Sequence, residues 1–156
     1  MISITCFFRK SSIEKFKPGF GCLIPRNEGI TILGVLFNSC IFDHRVKEDD
    51  LISLTCMMRD DDPDLPLSNK SDNQLQTLII EDLSKLFGKV EAPEEMIVSR
   101  WNQGIPVYSP DLYQNWFKID DLLKGNHNNR HLFGNYTGDI SIRAMAQATH
   151  KIYKNL

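Results

Sequence analysis

A period-two pattern of apolar residues in the opening segment, ISITCFF, constrains the fold more than any other feature. Its apolar positions are Ile2, Ile4, Cys6 and Phe8. A period of two is typical of a β-strand with one buried face. Apolar segments at 20–25 and 30–37 flank the sequence RNEG, whose Gly29 can supply the positive φ of a hairpin turn. Together with an apolar segment at 51–58, the pattern predicts four strands in one antiparallel sheet.

The clearest helix is predicted over residues 72–87. Ser71 and Gln74 have the spacing of a capping box, and Gly88 can end the helix. Apolar residues recur at helical spacing between them, at Leu75, Leu78, Ile79, Leu83 and Leu86. A short strand at EMIVSRW, a second amphipathic helix over 111–124 and a closing helix follow. Strands followed by helices predict an α+β fold with the 72–87 helix packed on the sheet, and 156 residues are enough for one domain.

Composition excludes several classes of function. The net charge is −2, and no basic stretch is interleaved with aromatic residues, so we expect no nucleic-acid partner. The apolar run at the N-terminus is interrupted by Ser3 and Thr5 and lacks a basic flank, so we expect neither a signal peptide nor a transmembrane segment. The expected location is the cytoplasm, with membrane contact only through a partner.

No metal site is predicted. The four cysteines, one to each strand-like segment, form no CxxC pair, and we expect them to be reduced and to behave as small buried hydrophobes. His127 and His131 lie in a turn-like segment, where a shared helical face for zinc is not expected. The acidic segment RDDDPDLPLSNK lacks the glycine and closing glutamate of an EF-hand, so it is interpreted as a solvated loop.

The segment LFGNYTGDISI, residues 132–142, permits two interpretations. In the first, glycines and a helix N-terminus near Asp139 or Ile140 offer unpaired N–H groups to an anion or an electron-rich carbonyl of a cofactor. In the second, Gly138 makes a turn, and Asp139 or Ser141 caps a terminal helix packed on the core through Met145, Ala148, Thr149, Ile152 and Leu156.

Three segments in sequence carry a resemblance to a known family. PGFGCLIPRNEGITILGVLFNSCIFDHR, RWNQGIPVY and LFGNYTGDISIRAMAQA resemble successive C-terminal signatures of protoporphyrinogen oxidases, within the FAD-dependent amine oxidase superfamily. The resemblance extends from about residue 2 to residue 153. It implies that FAD is contacted by the last motif, through Gly134, Asn135, Gly138, Asp139, Ile140, Ser141 and Ile142. It also implies that Trp101, Ile105, Pro106 and Tyr108 pack beside the flavin.

The resemblance further implies that the two parts of the chain have different functions. Residues 1–100 would form a substrate-domain-like sheet and helix, and residues 101–156 the C-terminal part of the FAD-binding region, both treated as one compact unit. No G-x-G-x-x-G follows a strand, so the N-terminal Rossmann unit that holds the ADP half of FAD is lacking in this sequence. We therefore expect a partial flavin site that does not retain FAD alone.

The implied activity is oxidation of protoporphyrinogen IX to protoporphyrin IX in heme biosynthesis, performed only when an N-terminal nucleotide-binding half completes the site. That half would come from a longer form of the same chain or from a companion chain. No catalytic side chain is assigned, because the flavin carries the chemistry. Alternatively, the chain is a non-catalytic interaction module with the same fold that forms a homodimer or binds a partner protein. Oxidation of an amine or a carotenoid is a third interpretation.

Overall fold

The computed structural model describes residues 1–60, 66–102, 104, 108–126 and 130–154. Internal contacts group into two compact units, Met1–Asn102 and Gln103–Leu156, where the sequence was treated as one. The functional division of the chain, into a substrate-side part and a flavin-side part, stays a prediction.

The first unit is a five-stranded antiparallel sheet with one long helix. Its elements in chain order are β1 (Ile2–Arg9), β2 (Gly21–Leu23), β3 (Ile32–Phe37), the short helix α1 (Asn38–Ile41), β4 (Leu51–Met58), α2 (Asp72–Phe87) and β5 (Glu95–Arg100). The strand order across the sheet is β2-β3-β4-β1-β5. The predicted mixture of helices and antiparallel strands is confirmed.

The core lies between one face of the sheet and α2. Cross-strand pairs such as Ile4 with Cys56 place the apolar positions of β1 and β4 on the same side. These strands bury Ile2, Ile4, Cys6, Phe8, Ile52, Leu54, Cys56 and Met58. The helix covers them with Leu75, Ile79 and Leu83, all of them fully buried. The period-two pattern of the strands and the period-3.6 pattern of the helix therefore meet in a single apolar cluster.

Helix α2 begins and ends where the sequence predicted. The Ser71 hydroxyl accepts the Gln74 N–H at 3.3 Å, and the Gln74 side chain accepts the Ser71 N–H at 2.9 Å, which completes the capping box. Gly88 follows the last helical residue with φ of 76°, a left-handed value that favours glycine.

A buried carboxylate fixes α2 to the chain before β3. Asp82 accepts the N–H of Thr31 at 2.7 Å and that of Ile32 at 3.2 Å. Lys85 donates from Nζ to Asp82 at 3.2 Å and to the carbonyl of Gly29 at 2.6 Å. These bonds hold the hairpin turn against the helix, so its position depends on Asp82 as well as on apolar packing.

Three details differ from the sequence-based expectations. Strand β2 is shorter than 20–25, because its regular pairing with β3 extends only from Gly21–Leu36 to Leu23–Gly34. Strand β3 begins at Ile32 rather than residue 30, because its pairing with β4 begins with Ile32 and Met58. Cys40 is exposed in α1 rather than buried in a strand, since the chain turns into this helix at Asn38. Cys22 is partly exposed.

The second unit contains α3 (Pro110–Asn126), a 3₁₀ turn at Asn135–Thr137 and α4 (Ile142–Lys154). In its described part, no residue reaches the burial of the sheet core. Large apolar side chains are exposed on both helices, including Phe117 and Leu122 on α3. Among the described residues, no helix is long and apolar enough to cross a membrane.

Candidate functional site

The turn at residues 134–138 is formed by a short 3₁₀ segment between two glycines. The carbonyl of Gly134 accepts both the N–H of Thr137 at 3.0 Å and the Thr137 hydroxyl at 2.7 Å. Gly138 follows with φ of 99°, in the left-handed region that side chains rarely adopt. A Cβ built there would lie 3.4 Å from the Tyr113 ring, an ordinary contact. The glycine requirement at Gly138 therefore comes from the backbone.

Helix α4 begins after this turn, at Ile142. The Ser141 hydroxyl accepts the N–H of Ala144 at 3.0 Å, so Ser141 is the N-cap residue. The predicted start near Asp139 or Ile140 is wrong by two to three residues, whereas the prediction that Ser141 caps the helix is confirmed by this bond. The N–H groups of Ile142 and Arg143 lie in the first turn, where a helix has no carbonyl of its own to pair them. The first turn contains no acidic residue.

A tyrosine joins two of the sequence segments singled out above. The Tyr108 hydroxyl donates to the carbonyl of Asn135 at 2.7 Å. This bond connects the end of RWNQGIPVY to the middle of LFGNYTGDISI, across 27 residues of sequence. The Tyr136 hydroxyl likewise donates to the carbonyl of Phe133 at 3.0 Å. Local hydrogen bonds therefore fix the shape of the turn without a buried core beneath it.

An open apolar groove of ≈ 620 Å³ adjoins the start of α4. Ile142 is 83% exposed, and Ile140 and Tyr153 are also largely exposed. The residues that line the groove are Phe133, Ile142, Met145, Ala146, Thr149, His150 and Tyr153. The interpretation of α4 as a helix packed on a core is not supported by these side chains: Met145, Ala148 and Ile152 are only partly covered and Thr149 is exposed. Leu156 lies outside the described residues.

Trp101 belongs to the first unit, where it extends the pairing of β5 with β1. Its N–H donates to the carbonyl of Met1 at 2.9 Å, and its ring Nε1 donates to the Ser3 hydroxyl at 3.1 Å. The side chain is 54% exposed, so much of its ring remains free to contact another molecule. Ile105 and Pro106, the other predicted residues of this segment, lie outside the described residues.

Thiol chemistry is not favoured at the buried cysteines. Burial raises the pKa of the Cys6 thiol to about 12, and it raises the pKa of Cys56 well above its usual value. The thiolate is the reactive form, so both side chains are inert near neutral pH. Within the described ranges, no group of three or more metal-ligating side chains is present. His127 lies outside those ranges.

Sequence reasoning missed Tyr113 as a neighbour of the turn. Its ring lies at the position that a Gly138 side chain would contact. The only signal in the sequence was its place on the helix predicted over 111–124, and a helical pattern alone does not show which turn it faces.

Comparison with known proteins identifies the family of this chain. Residues 5–148 match the model of a family of flavin-dependent oxidoreductases. The chain belongs to the family described as flavin containing amine oxidoreductase.

Named relatives specify the similarity further. The chain is 26% identical over 138 residues to protoporphyrinogen oxidase 2, chloroplastic/mitochondrial, of Arabidopsis thaliana, an alignment that covers 86% of this chain and 27% of that protein. It is 29% identical over 92 residues to the chloroplastic protoporphyrinogen oxidase of Nicotiana tabacum, covering 58% of this chain and 16% of that protein. The sequence-based resemblance is thereby confirmed. The chain spans about a quarter or less of the length of these relatives.

A solved structure shares the fold. The crystal structure of a proposed protoporphyrinogen oxidase from Exiguobacterium sp. 255-15 superposes with a TM-score of 0.69 and 21% sequence identity. The superposition covers 98% of this chain and 33% of that one. At this identity the likeness concerns the fold alone.

Proposed function

We propose that this chain is the C-terminal portion of a flavin-dependent oxidoreductase that acts on a protoporphyrinogen-type substrate. The nucleotide-binding half would come from sequence outside these 156 residues or from a companion chain. The observation that carries the proposal is the Tyr108–Asn135 hydrogen bond, because it brings two family-like segments together at a glycine-bounded helix start.

The residues at this turn fit the isoalloxazine and ribityl part of FAD. The left-handed backbone of Gly138 lets the chain turn just before α4. The first-turn N–H groups of Ile142 and Arg143 suit an electron-rich carbonyl. The exposed side chains of Ile140 and Ile142 offer apolar contact. The chemistry supplied by a bound flavin is acceptance of hydride equivalents from the substrate. The role of this chain is to orient the flavin and to exclude water from it.

Asp139 is the one residue at the turn that opposes this role. Its carboxylate precedes the N-cap and is partly buried. The reduced flavin is anionic, so the partial positive charge of a helix N-terminus stabilises it. A carboxylate close to the flavin repels that negative charge and destabilises the reduced form. We propose that the helix start and Asp139 act in opposite directions on the reduction of a bound flavin.

Flavin retention by the chain alone should be poor. A helix N-terminus contributes only about 0.3–1 kcal/mol to an exposed anion, whereas micromolar binding requires about 8 kcal/mol. Purified chain should therefore elute without stoichiometric flavin absorbance. A yellow protein with one flavin per chain would contradict the proposal of a partial site.

The decisive experiment adds the missing half. Co-expression with the nucleotide-binding polypeptide encoded upstream in frame, or by a neighbouring gene, should yield a complex that retains FAD. Gly138→Val should weaken this retention by more than tenfold, about 1.4 kcal/mol, because it strains the left-handed backbone that shapes the turn before α4. Gly125→Val is the matched control, since a Cβ at Gly125 meets nothing within 4 Å. Equal flavin affinity of both folded variants would refute the cofactor role of the turn.

A second candidate function is a non-catalytic interaction module. The observation that favours it is the exposure of large apolar side chains such as Phe117, Leu122 and Ile142 in the second unit. Analytical ultracentrifugation distinguishes the two: a stable homodimer that neither binds a nucleotide-binding polypeptide nor retains FAD would support the module.

A further inference from the structure

The side chain of Tyr113, on α3, lies against the glycine that ends the 134–138 turn. Its three atoms closest to a Cβ built on Gly138 are Cε1 at 3.4 Å, Oη at 3.6 Å and Cζ at 3.9 Å. All three belong to the hydroxyl end of the phenol ring. The Tyr113 hydroxyl is therefore held beside the turn, close to the backbone that precedes α4.

The start of α3 fixes the position of this ring. The Ser109 hydroxyl accepts the N–H of Leu112 at 3.2 Å, a bond typical of an N-cap residue, and Tyr113 follows directly. Just before the cap, Tyr108 donates to the carbonyl of Asn135. The two tyrosines thus flank the start of α3, and both contact the turn.

Only one of these two phenol groups already has an acceptor. The Tyr108 hydroxyl donates to a backbone carbonyl, whereas the Tyr113 hydroxyl donates to no acceptor among the residues that the structure describes. The Tyr113 side chain is 40% exposed, so a bound molecule can reach it. A phenol hydroxyl has one hydrogen to donate. The turn therefore offers a neutral hydrogen-bond donor in addition to the backbone N–H groups at the start of α4.

Packing explains the position of the Tyr113 ring but not its hydroxyl. The ring fills the space that a side chain at Gly138 would meet, and a phenylalanine ring would make the same contact. In the described chain the hydroxyl contributes no hydrogen bond to the fold. The role of the ring and the role of the hydroxyl are therefore separable by substitution with phenylalanine.

The charges at the turn determine what such a donor does. Asp139 follows Gly138 directly, and its carboxylate is partly buried. A ligand that carries negative charge at this turn is stabilised by the start of α4 and repelled by Asp139. A hydrogen bond to a charged acceptor is about twice as strong as one to a neutral acceptor. The Tyr113 hydroxyl therefore favours the negatively charged state of a ligand over its neutral state.

We propose that Tyr113 is a further flavin-contacting residue, whose hydroxyl donates a hydrogen bond to a carbonyl of the isoalloxazine and stabilises the reduced, anionic form. This proposal rests on the proposed function, because it requires a flavin at the start of α4. Oxidised isoalloxazine is neutral, so the hydrogen bond from Tyr113 is stronger to the reduced form. Tyr113 thereby offsets part of the repulsion by Asp139 and raises the reduction potential of the flavin.

The test uses FMN, which carries the isoalloxazine and ribityl parts of FAD, as the probe for the full chain. Anaerobic equilibrium dialysis measures the affinities for oxidised and for reduced FMN, and the ratio of the two is compared between variants. Tyr113→Phe keeps the ring on Gly138 and removes the hydroxyl. It should lower the affinity for reduced FMN about tenfold relative to that for oxidised FMN.

Gln114→Met is the matched control, because Gln114 is exposed and has no hydrogen bond in the described structure. It removes a neutral donor that lies about 100° around α3 from Tyr113, so the affinity ratio should stay unchanged. Tyr113→Leu removes the ring as well and should weaken the binding of both forms of FMN. If Tyr113→Phe shows the affinity ratio of the unmodified chain, the ring acts only by packing and the proposal is overturned.

The complex with the nucleotide-binding polypeptide gives a second measurement. There, Tyr113→Phe should retain FAD and lower its midpoint potential by about 30 mV, the equivalent of a tenfold change for a two-electron couple. Flavin binding with an unaltered potential would show that Tyr113 alone is wrongly assigned. Absence of flavin binding in every variant, both in the isolated chain and in the complex, would refute the proposed function and the role of Tyr113 with it.

Discussion

Replacement of Asp82 by alanine should strongly destabilise the first unit, because this buried carboxylate holds α2 to the chain before β3. The Asp82 side chain is 3% exposed and accepts hydrogen bonds from two backbone N–H groups and from Lys85. In the Asp82→Ala chain, the N–H of Ile32 loses its acceptor in a site that is 1% exposed. The half-buried N–H of Thr31 can recover a bond to water.

The magnitude follows from these two environments. A hydrogen bond to a charged group contributes about 1.5–3 kcal/mol, and an unsatisfied buried donor costs about 1–3 kcal/mol. Since only one of the two N–H donors is fully buried, we expect the free energy of unfolding to fall by about 3 kcal/mol rather than by twice that value. Asp82→Asn keeps one carbonyl acceptor and should lose about half as much.

Urea denaturation followed by Trp101 fluorescence, in the Trp116→Phe background, measures the first unit. With m near 1–3 kcal/mol/M, the midpoint should fall by roughly 1–3 M for Asp82→Ala at unchanged m. Glu81→Ala, a neighbouring exposed acid on the same helix, is the control and should shift the midpoint little. If the two alanine variants unfold at the same urea concentration, the reasoning about Asp82 is refuted.

Two further predictions concern the same unit. Ser71→Ala removes the hydroxyl of the capping box and should lower the free energy of unfolding by about 1 kcal/mol. Ser71→Asp should restore the stability, since aspartate is also a good N-cap residue. Equal stability of the Ser71→Ala chain and the unmodified chain in urea would contradict this prediction. Burial raises the pKa of the Cys6 thiol from 9.0 to about 12. Between these pH values the folded state keeps a proton that the unfolded state has lost. The free energy of unfolding should therefore fall as the pH rises from 9.0 toward 12. Cys6→Ser should flatten that dependence, and in the native chain a thiol reagent should modify exposed Cys40 well before buried Cys6 and Cys56.

The sheet and α2 were predictable because local pattern and tertiary packing agree. The alternation in β1 and the capping box at Ser71 each need only neighbouring residues to be recognised. Strand ends were less predictable: β2 stops at Leu23, and that limit is set by pairing with Gly34 rather than by the apolar run that continues to Ile24. Cys40 was misjudged because it was grouped with the strand-like segments, whereas the strand ends at Phe37 and the backbone turns into α1 at Asn38.

The candidate site was only partly predictable. The glycine at 138 and a cap at Ser141 can be read from residue types, since a left-handed φ and an N-cap each favour particular residues. The Tyr108–Asn135 bond could not be, because it joins positions far apart in sequence.

The two units differ in what stabilises them, and this difference bears on the proposed function. In the first unit, buried side chains such as Phe8 and Leu83 each contribute about 1.5–3 kcal/mol. In the described part of the second unit, hydrogen bonds from Tyr108, Thr137 and Ser141 fix the turn, but no side chain is buried to that extent. Local hydrogen bonds can set the geometry of a flavin contact, whereas burial of apolar side chains must supply most of the stability of the unit that carries it. A nucleotide-binding half that covers Ile142 and Tyr153 would therefore stabilise this unit without having to reshape the turn, and flavin binding would be coupled to that stabilisation through mass action.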